Sequence, residues 1–553
     1  MTQKKKFYVT TPIYYWNGLP HVGHFYSSVI ADILYKFHKI SGFESRFTTG
    51  IDENSQKAVI KAQEEGKEIL DYLDTMATGH KKVWDYFNMG YTDFIRTTEP
   101  RHHALVQKVL QHCFDKGDIY QWVYEGMYCV GCESFKKDDD LVFLNQTSGE
   151  TFPITPKVTP SDNIIKVCPD HLKTPDMIKE KNYFFKLTKY QNWISEFYEA
   201  NPDFVLPHFR YNEVKAFVER WLEDFSISRE TNTFGIPLPF DDSQVTYVWF
   251  DALFNYYTSC VSSRAGDKNN TSFVDESDFW PASLHVVWKD IIRFHAIFWP
   301  AMLASYFDLW EQGSDGVLHY CDSDLNKLPK TVLTGWYFTV DGQKMSKSLW
   351  NIIEPVSYSK EYWKELLTLY MLSAFPIWND GNYDRDDAIK TYNAKLANNL
   401  GNLVNRVVVL SLKLEWGILN CEKDRSKYLI TDSEIKKITK YFTEYNLKWV
   451  LDLCFENLDS LNKYADENEP WNLIKTDTEK TQEVLYALAE WLRQVGLSLY
   501  PFFPEKMSEM FVKLWLEDYD VHLSQWKLIE LIEKTEVFHI KEKGEALFQR
   551  KEI

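Results

Sequence analysis

Two histidines three residues apart, His21 and His24, close the stretch Phe7–His24 (FYVTTPIYYWNGLPHVGH), where a β-branched and aromatic run gives way to an amphipathic helical pattern. A strand that breaks at Asn17, Gly18 and Pro20 and feeds a helix is the layout of a phosphate site. Glycine lets the backbone approach a ligand, and the helix start offers free N–H groups and a positive dipole end. One helical turn aims both imidazoles at the same anion. Far downstream, Asp341–Ser348 (DGQKMSKS) follows the apolar run Thr331–Val340, so a D-G turn carries Lys344 and Lys347 on a polar loop. Two mobile ammonium groups of this kind suit a polyphosphate. Cys129 and Cys132, then Cys168 and His171, form two x₂-spaced pairs, and three thiols with an imidazole can close a tetrahedral structural zinc site.

These residues need a scaffold that brings them together. At 553 residues, 44% hydrophobic and 16% aromatic, the chain exceeds one core and has the interior for three or four domains. From Phe7 to about Gly117, β-rich runs (Phe7–Ile13, Ser45–Thr49, Phe94–Thr97) alternate with helical patterns (His24–Ile40, Asn54–Glu64, Leu70–Asn88, Arg101–Lys116). This predicts an α/β fold with a doubly wound parallel (Rossmann-like) sheet, which binds ligands at the carboxyl ends of its strands. Asp52 and the histidine turn both fall there. The α/β pattern resumes after Phe225 with expected strands Val245–Phe250 and Leu284–Val287 and a helix Ile291–Leu303. Beyond about Asp386 the periodicity is helical throughout, with Ala394–Leu412, Glu434–Ala465 and Glu483–Leu499 as the clearest elements. The expected division is therefore 1–118 and 225–325 as two halves of the sheet domain, 119–224 as an insert with the zinc knuckle, 326–386 as the lysine loop and connector, and 387–553 as an all-α bundle.

No run reaches the roughly 20 apolar residues of a membrane span, so a soluble, cytoplasmic protein is expected. Eight cysteines in so long a chain fit a reducing compartment. The formal charge of −18 argues against coating DNA or RNA nonspecifically, so any basic surface must be local.

PHVGH near the start and KMSKS some 320 residues later resemble the paired nucleotide-binding signatures of class I aminoacyl-tRNA synthetases. The text between and beyond them, including TGIDENSQK, EGMYCVGCE, FSISR, VTYVWFDALFNY, LGNLVNR and NEPWNL, resembles the methionyl-tRNA synthetase family nearly end to end. The resemblance implies activation of L-methionine by ATP with Mg²⁺ and transfer to tRNA(Met). It implies an ATP site at His21, Gly23, His24, Lys344, Met345, Ser346 and Lys347, with His21, His24, Lys344 and Lys347 catalytic. It places methionine among Ile13, Tyr15, Asp52, Trp249, Ala252, Leu253, Tyr256, His295 and Trp299, with Asp52 taking the ammonium group and Tyr256 offering its O–H to sulfur. It makes the bundle an anticodon-binding domain that reads the tRNA through Asn402, Arg406 and Trp471. No segment reads as an appended oligonucleotide-binding barrel, so a monomer is expected. A class I enzyme for another apolar amino acid is disfavoured by the short insert, which leaves no room for an editing domain.

One feature departs from that pattern. Tryptophan, at 20 residues, nearly equals glycine, at 22, although glycine is ordinarily about 7% of a chain. Trp122, Trp221, Trp288, Trp350 and Trp378 stand where the family pattern has glycine, and Trp491 and Trp515 look similar. The expectation is that UGA codons, glycine in the source genome, underlie them; a synthetase-derived RNA-binding protein with a damaged ATP site is the alternative.

Overall fold

The computed structural model describes residues 5–129, 134–155, 161, 163–169, 172–230, 232–261, 278–321, 326–335, 338–340, 342–344, 352–377, 379–414, 417–419, 432–514, 537–540 and 542–552. At its centre lie six parallel strands: β1 (Lys6–Tyr15), β2 (Glu44–Asp52), β3 (Asp93–Arg96), β4 (Val205–Leu206), β5 (Leu284–Trp288) and β6 (Val332–Gly335). Their order in space is β4-β6-β5-β1-β2-β3. The chain winds outward from β1 to β3 on one side and returns through β5 on the other, so the switch point lies at the carboxyl ends of β1 and β5. Helix α1 (Val22–Ile40) follows β1 directly and buries most of its length against the sheet.

β1 is irregular where it matters. Its register against β2 shifts between Thr10 and Ile13, around Pro12, which has no N–H to give to a ladder. Such bulges re-aim side chains and recur next to active sites. Here the shift sets Ile13–Tyr15 opposite Gly50–Asp52.

Between β3 and β5 the chain forms a four-stranded sheet in which Ile119–Cys129 pairs antiparallel with Asp176–Phe185. A second small sheet contains Val142–Asn145, Thr151–Pro153 and Ile164–Val167. The stretches 119–224 and 326–386 do not lie wholly outside the central sheet, because Val205–Leu206 returns to form its edge strand and Val332–Gly335 is β6, paired between β4 and β5. A two-residue strand carries too little pattern to be read from sequence.

Val245–Phe250 departs from the expectation of a strand: Asp241–Thr246 is the strand and Val248–Leu253 a short helix. A short apolar run reads the same in either period. The stretch Glu434–Ala465 is two helices, Asp432–Thr443 and Leu447–Asn468, separated at Tyr445, which has φ 60°. Helices Asn402–Ser411, Leu447–Asn468, Thr478–Leu499 and Pro504–Lys513 build the bundle, and its core is continuous with that of β1 and α1. Phe37 of α1 stacks on Phe442 at 3.9 Å. Among the described residues no helix is long and apolar enough to cross a membrane.

Candidate active site

The turn after β1 is fixed by its own histidines. His21 caps α1: its Nδ1 accepts the Gly23 N–H at 3.0 Å, and His24 Nδ1 accepts the His21 N–H at 3.0 Å. This reciprocal pair satisfies two N–H groups a helix start would otherwise leave open. Because each Nδ1 accepts a backbone N–H, the proton of each neutral ring sits on Nε2. Burial, then the neighbouring His21 and His80, holds the His24 pKa well below the ordinary histidine value. His24 is thus a neutral imidazole with a single N–H, which can donate to an anion and has no positive charge to lose.

A cavity of about 280 Å³ opens beside this turn at the switch point. Ile13, Tyr15, Asp52, Trp249, Ala252, Leu253, Tyr256 and His295 all line it, together with His24. Of the sequence-predicted methionine set, Trp299 stands apart. It is fully buried behind the wall, and its Nε1–H donates to His285 Nε2 at 3.3 Å. His285 in turn meets the Thr10 hydroxyl at 2.6 Å, which ties the wall to β1.

His295 lies on a π-helical turn, Phe294–Phe298, a geometry frequent at functional sites. Its Nδ1 is 3.0 Å from the Ile291 carbonyl and therefore carries the proton, so its Nε2 accepts the Tyr256 O–H at 2.7 Å. Burial lowers the His295 pKa to about 4. Tyr256 therefore spends its proton on His295 in this state, in place of the expected donation toward a sulfur. Trp249 stacks flat on Phe294, with ring centroids 3.8 Å apart.

Seven lining residues lay outside the predicted set: Pro12, Tyr14, Asn17, Lys57, Val248, Trp288 and Ile291. Lys57 closes TGIDENSQK, five residues after Asp52, and its Nζ lies 5.7 Å from the Tyr15 ring centroid. The cavity thus has a carboxylate and an ammonium group among its lining side chains. Opposite charges so spaced were the signal that could have found Lys57. Trp288, at the end of β5, packs 5.8 Å from the Tyr14 ring and 5.2 Å from that of His24.

On the lysine loop, Gln343–Lys344 pairs antiparallel with Phe338–Val340 across Gly342, whose φ of 75° fits the D-G turn read from sequence. Met345, Ser346 and Lys347 lie outside the described residues. Cys129 and Cys168 are buried in one small cluster with Leu141, and among the described residues no group of three or more His, Cys, Asp or Glu side chains is placed to hold a metal. Cys132 and His171 lie outside the described residues. Between the bundle helices a second cavity, of about 530 Å³, is lined by Asn405, Arg406, Asp466 and Trp471 among others. The Arg406 guanidinium stands 6.0 Å from the Trp471 ring centroid and 3.2 Å from Asp466 Oδ1. Asn402 does not line it; Asn405, on the same helix, does.

Residues 7–408 match the family model described as tRNA synthetases class I (M). The chain is 36% identical to a methionine–tRNA ligase of Fusobacterium nucleatum, over 93% of this chain and 75% of that protein. It is 35% identical to one of Clostridium acetobutylicum, over the full chain and 79% of that protein. The chain belongs to the methionyl-tRNA synthetase family. Its structure is similar to that of the Mycobacterium tuberculosis methionyl-tRNA synthetase in complex with methionyl-adenylate, with a TM-score of 0.83 and 27% identity over 99% of this chain and all of that one. The cavity lies at the β1–β5 switch point, where open α/β sheets of this kind bind their ligands.

Proposed function

We propose that the chain is a methionine–tRNA ligase, which joins methionine to AMP at the expense of ATP and then passes the methionyl group to the 3′ end of tRNA(Met). In the first step the methionine carboxylate attacks the α-phosphorus and pyrophosphate leaves; in the second a terminal ribose hydroxyl attacks the carbonyl and AMP leaves. Neither step needs a covalent enzyme intermediate, so the protein's work is positioning and charge stabilisation. Asp52 takes the ammonium group, and Lys57 faces the carboxylate and α-phosphate. The Nε2–H groups of His21 and His24 donate to phosphoryl oxygens as their charge grows, with Gly23 leaving room for the nucleotide. Lys344 and Lys347 hold the departing pyrophosphate, with Met345 and Ser346 shaping their loop. Mg²⁺ bound with ATP supplies further charge neutralisation.

Ile13, Trp249, Ala252 and Leu253 form an apolar, aromatic lining that suits a polarizable thioether. Cys129, Cys132, Cys168 and His171 would hold one structural zinc, with no part in the chemistry. Arg406 and Trp471, with Asn405 in preference to Asn402, read the anticodon by base-edge hydrogen bonds and stacking. The working division keeps 1–118 and 225–325 as the catalytic halves, joined by Val205–Leu206 from the insert and Val332–Gly335 from 326–386, and the bundle as the anticodon domain of a cytoplasmic monomer.

The observation that carries this reading is the gathering of eight sequence-predicted side chains around one cavity that also contains His24. Methionine-dependent exchange of pyrophosphate into ATP tests it, with Asp52→Asn expected to raise KM for methionine about tenfold or more, the value of a charge-assisted hydrogen bond. Equal exchange with leucine or valine would overturn the methionine assignment. Binding of tRNA with no exchange by any amino acid would leave an RNA-binding protein.

A further inference from the structure

We propose that Trp221, Trp288 and Trp363 are glycines in the protein as its own cell makes it, their codons being UGA read there as glycine. The backbone argues this at two of the three positions. Trp363 has φ 70° and ψ 150°, a combination essentially confined to glycine, and it sits between the helices Pro355–Tyr362 and Lys364–Ser373. Trp221 has φ 70° three residues past the end of the helix His208–Val218, and its N–H bonds the Val218 carbonyl. A left-handed residue just past a helix end is glycine's habitual place. For the bulkiest side chain either conformation is a true outlier. Trp363 was not among the positions suspected from sequence; its backbone brings it into the group.

Trp288 is argued on space. Its backbone is extended, with φ −87° and ψ 155°, but its indole packs against both Tyr14 and His24 on the wall of the cavity. Glycine there would remove the indole from beside His24 and widen the cavity next to the ring whose N–H a nucleotide phosphate must reach. This part rests on the ligase reading, whereas the backbone argument does not.

Packing alone does not mark out Trp363, whose indole stacks on the Tyr392 ring at 5.3 Å; at Trp221 and Trp363 it is the backbone that differs, since Trp84, Trp193 and Trp299 have no positive φ. Trp84, Trp193 and Trp299 are each 0% exposed and fill cores. Trp221 is 79% exposed, a large apolar surface that helps nothing fold. Trp122, 62% exposed within a regular strand, is compatible with either residue, and Trp350 and Trp378 lie outside the described residues.

The gene's codons decide the proposal. UGA is expected at 221, 288 and 363, with UGG at 84, 193 and 299; UGG at 221, 288 or 363 overturns it. Peptide mass spectrometry on the protein isolated from its source cells should find glycine at 221 and 363, and tryptophan at either position overturns it independently of any activity. For the ligase part, the chain as written is compared with its Trp288→Gly variant for ATP binding, with at least tenfold tighter binding expected. Equal binding would sink the argument from space at Trp288 while leaving the codon result standing.

Discussion

His24 gathers three constraints in one ring. Its Nδ1 accepts the His21 N–H, its burial keeps it neutral, and its Nε2–H is thereby fixed as a donor at the cavity. A preorganised neutral donor costs no reorganisation when charge develops on a phosphoryl oxygen, and removing one such donor typically lowers turnover by about 10²–10³-fold. His24→Ala is therefore expected to reduce kcat for methionine-dependent exchange by about that factor while KM for methionine moves little. A rise in KM with kcat intact would assign His24 to ground-state binding. The spacing of the two histidines, and the glycine between them, were legible in the sequence because one turn of helix fixes their relation. The tautomers were not, since they depend on which backbone N–H each ring meets. The same holds for Tyr256, whose partner His295 is 39 residues away and whose proton direction is set by the Ile291 carbonyl.

At the scale of elements, the site depends on how closely β2 lies against its neighbours. Gly50 of β2 pairs with Ile95 of β3, and a Cβ added there would stand 2.1 Å from the Ile95 carbonyl oxygen, closer than any side chain tolerates. Gly50→Ala must push the two strands apart, at a cost of about 1–3 kcal/mol or more. Asp52 is two residues further along the same strand, so the loss of stability, read by denaturant unfolding, should be accompanied by weaker methionine binding. Unchanged stability would mean that β3 moves freely. The alternation that predicted this parallel sheet was plain in the sequence, because each strand is followed by a long periodic helix. What escaped it were elements too short to carry a period: the edge strand Val205–Leu206 and the helix Val248–Leu253. The bulge at Pro12 escaped for another reason, since only the pairing partner reveals a slipped register.

The whole molecule carries an acid sensitivity that no single residue discloses. Burial depresses the pKa of His24, His38, His80, His102, His103, His285 and His295, with His38, His80 and His295 near 4. The unfolded chain protonates these rings below their ordinary value of about 6.5, while the folded chain resists. Stability is thus lost as pH falls from about 6.5 toward 4, by up to about 1.4 kcal/mol per pH unit for each ring. Asp32, Glu53, Asp251 and Glu365, raised by burial, act in the opposite sense but are fewer. The thermal midpoint should fall between pH 7 and pH 5, and a flat or rising midpoint would refute the balance of signs. Separation of labour between the two cavities gives the last test. Arg406 is exposed, its ion pair with Asp466 contributes little to folding, and it stands over Trp471 in the bundle, away from every residue of the β1–β5 cavity. If it reads a base, Arg406→Ala loses about 1–3 kcal/mol of recognition, roughly ten- to hundredfold in kcat/KM for tRNA. Exchange of pyrophosphate, which needs no tRNA, should be untouched. A variant that loses both would show that the bundle supports the active site itself, and one that loses neither would remove Arg406 from the anticodon site.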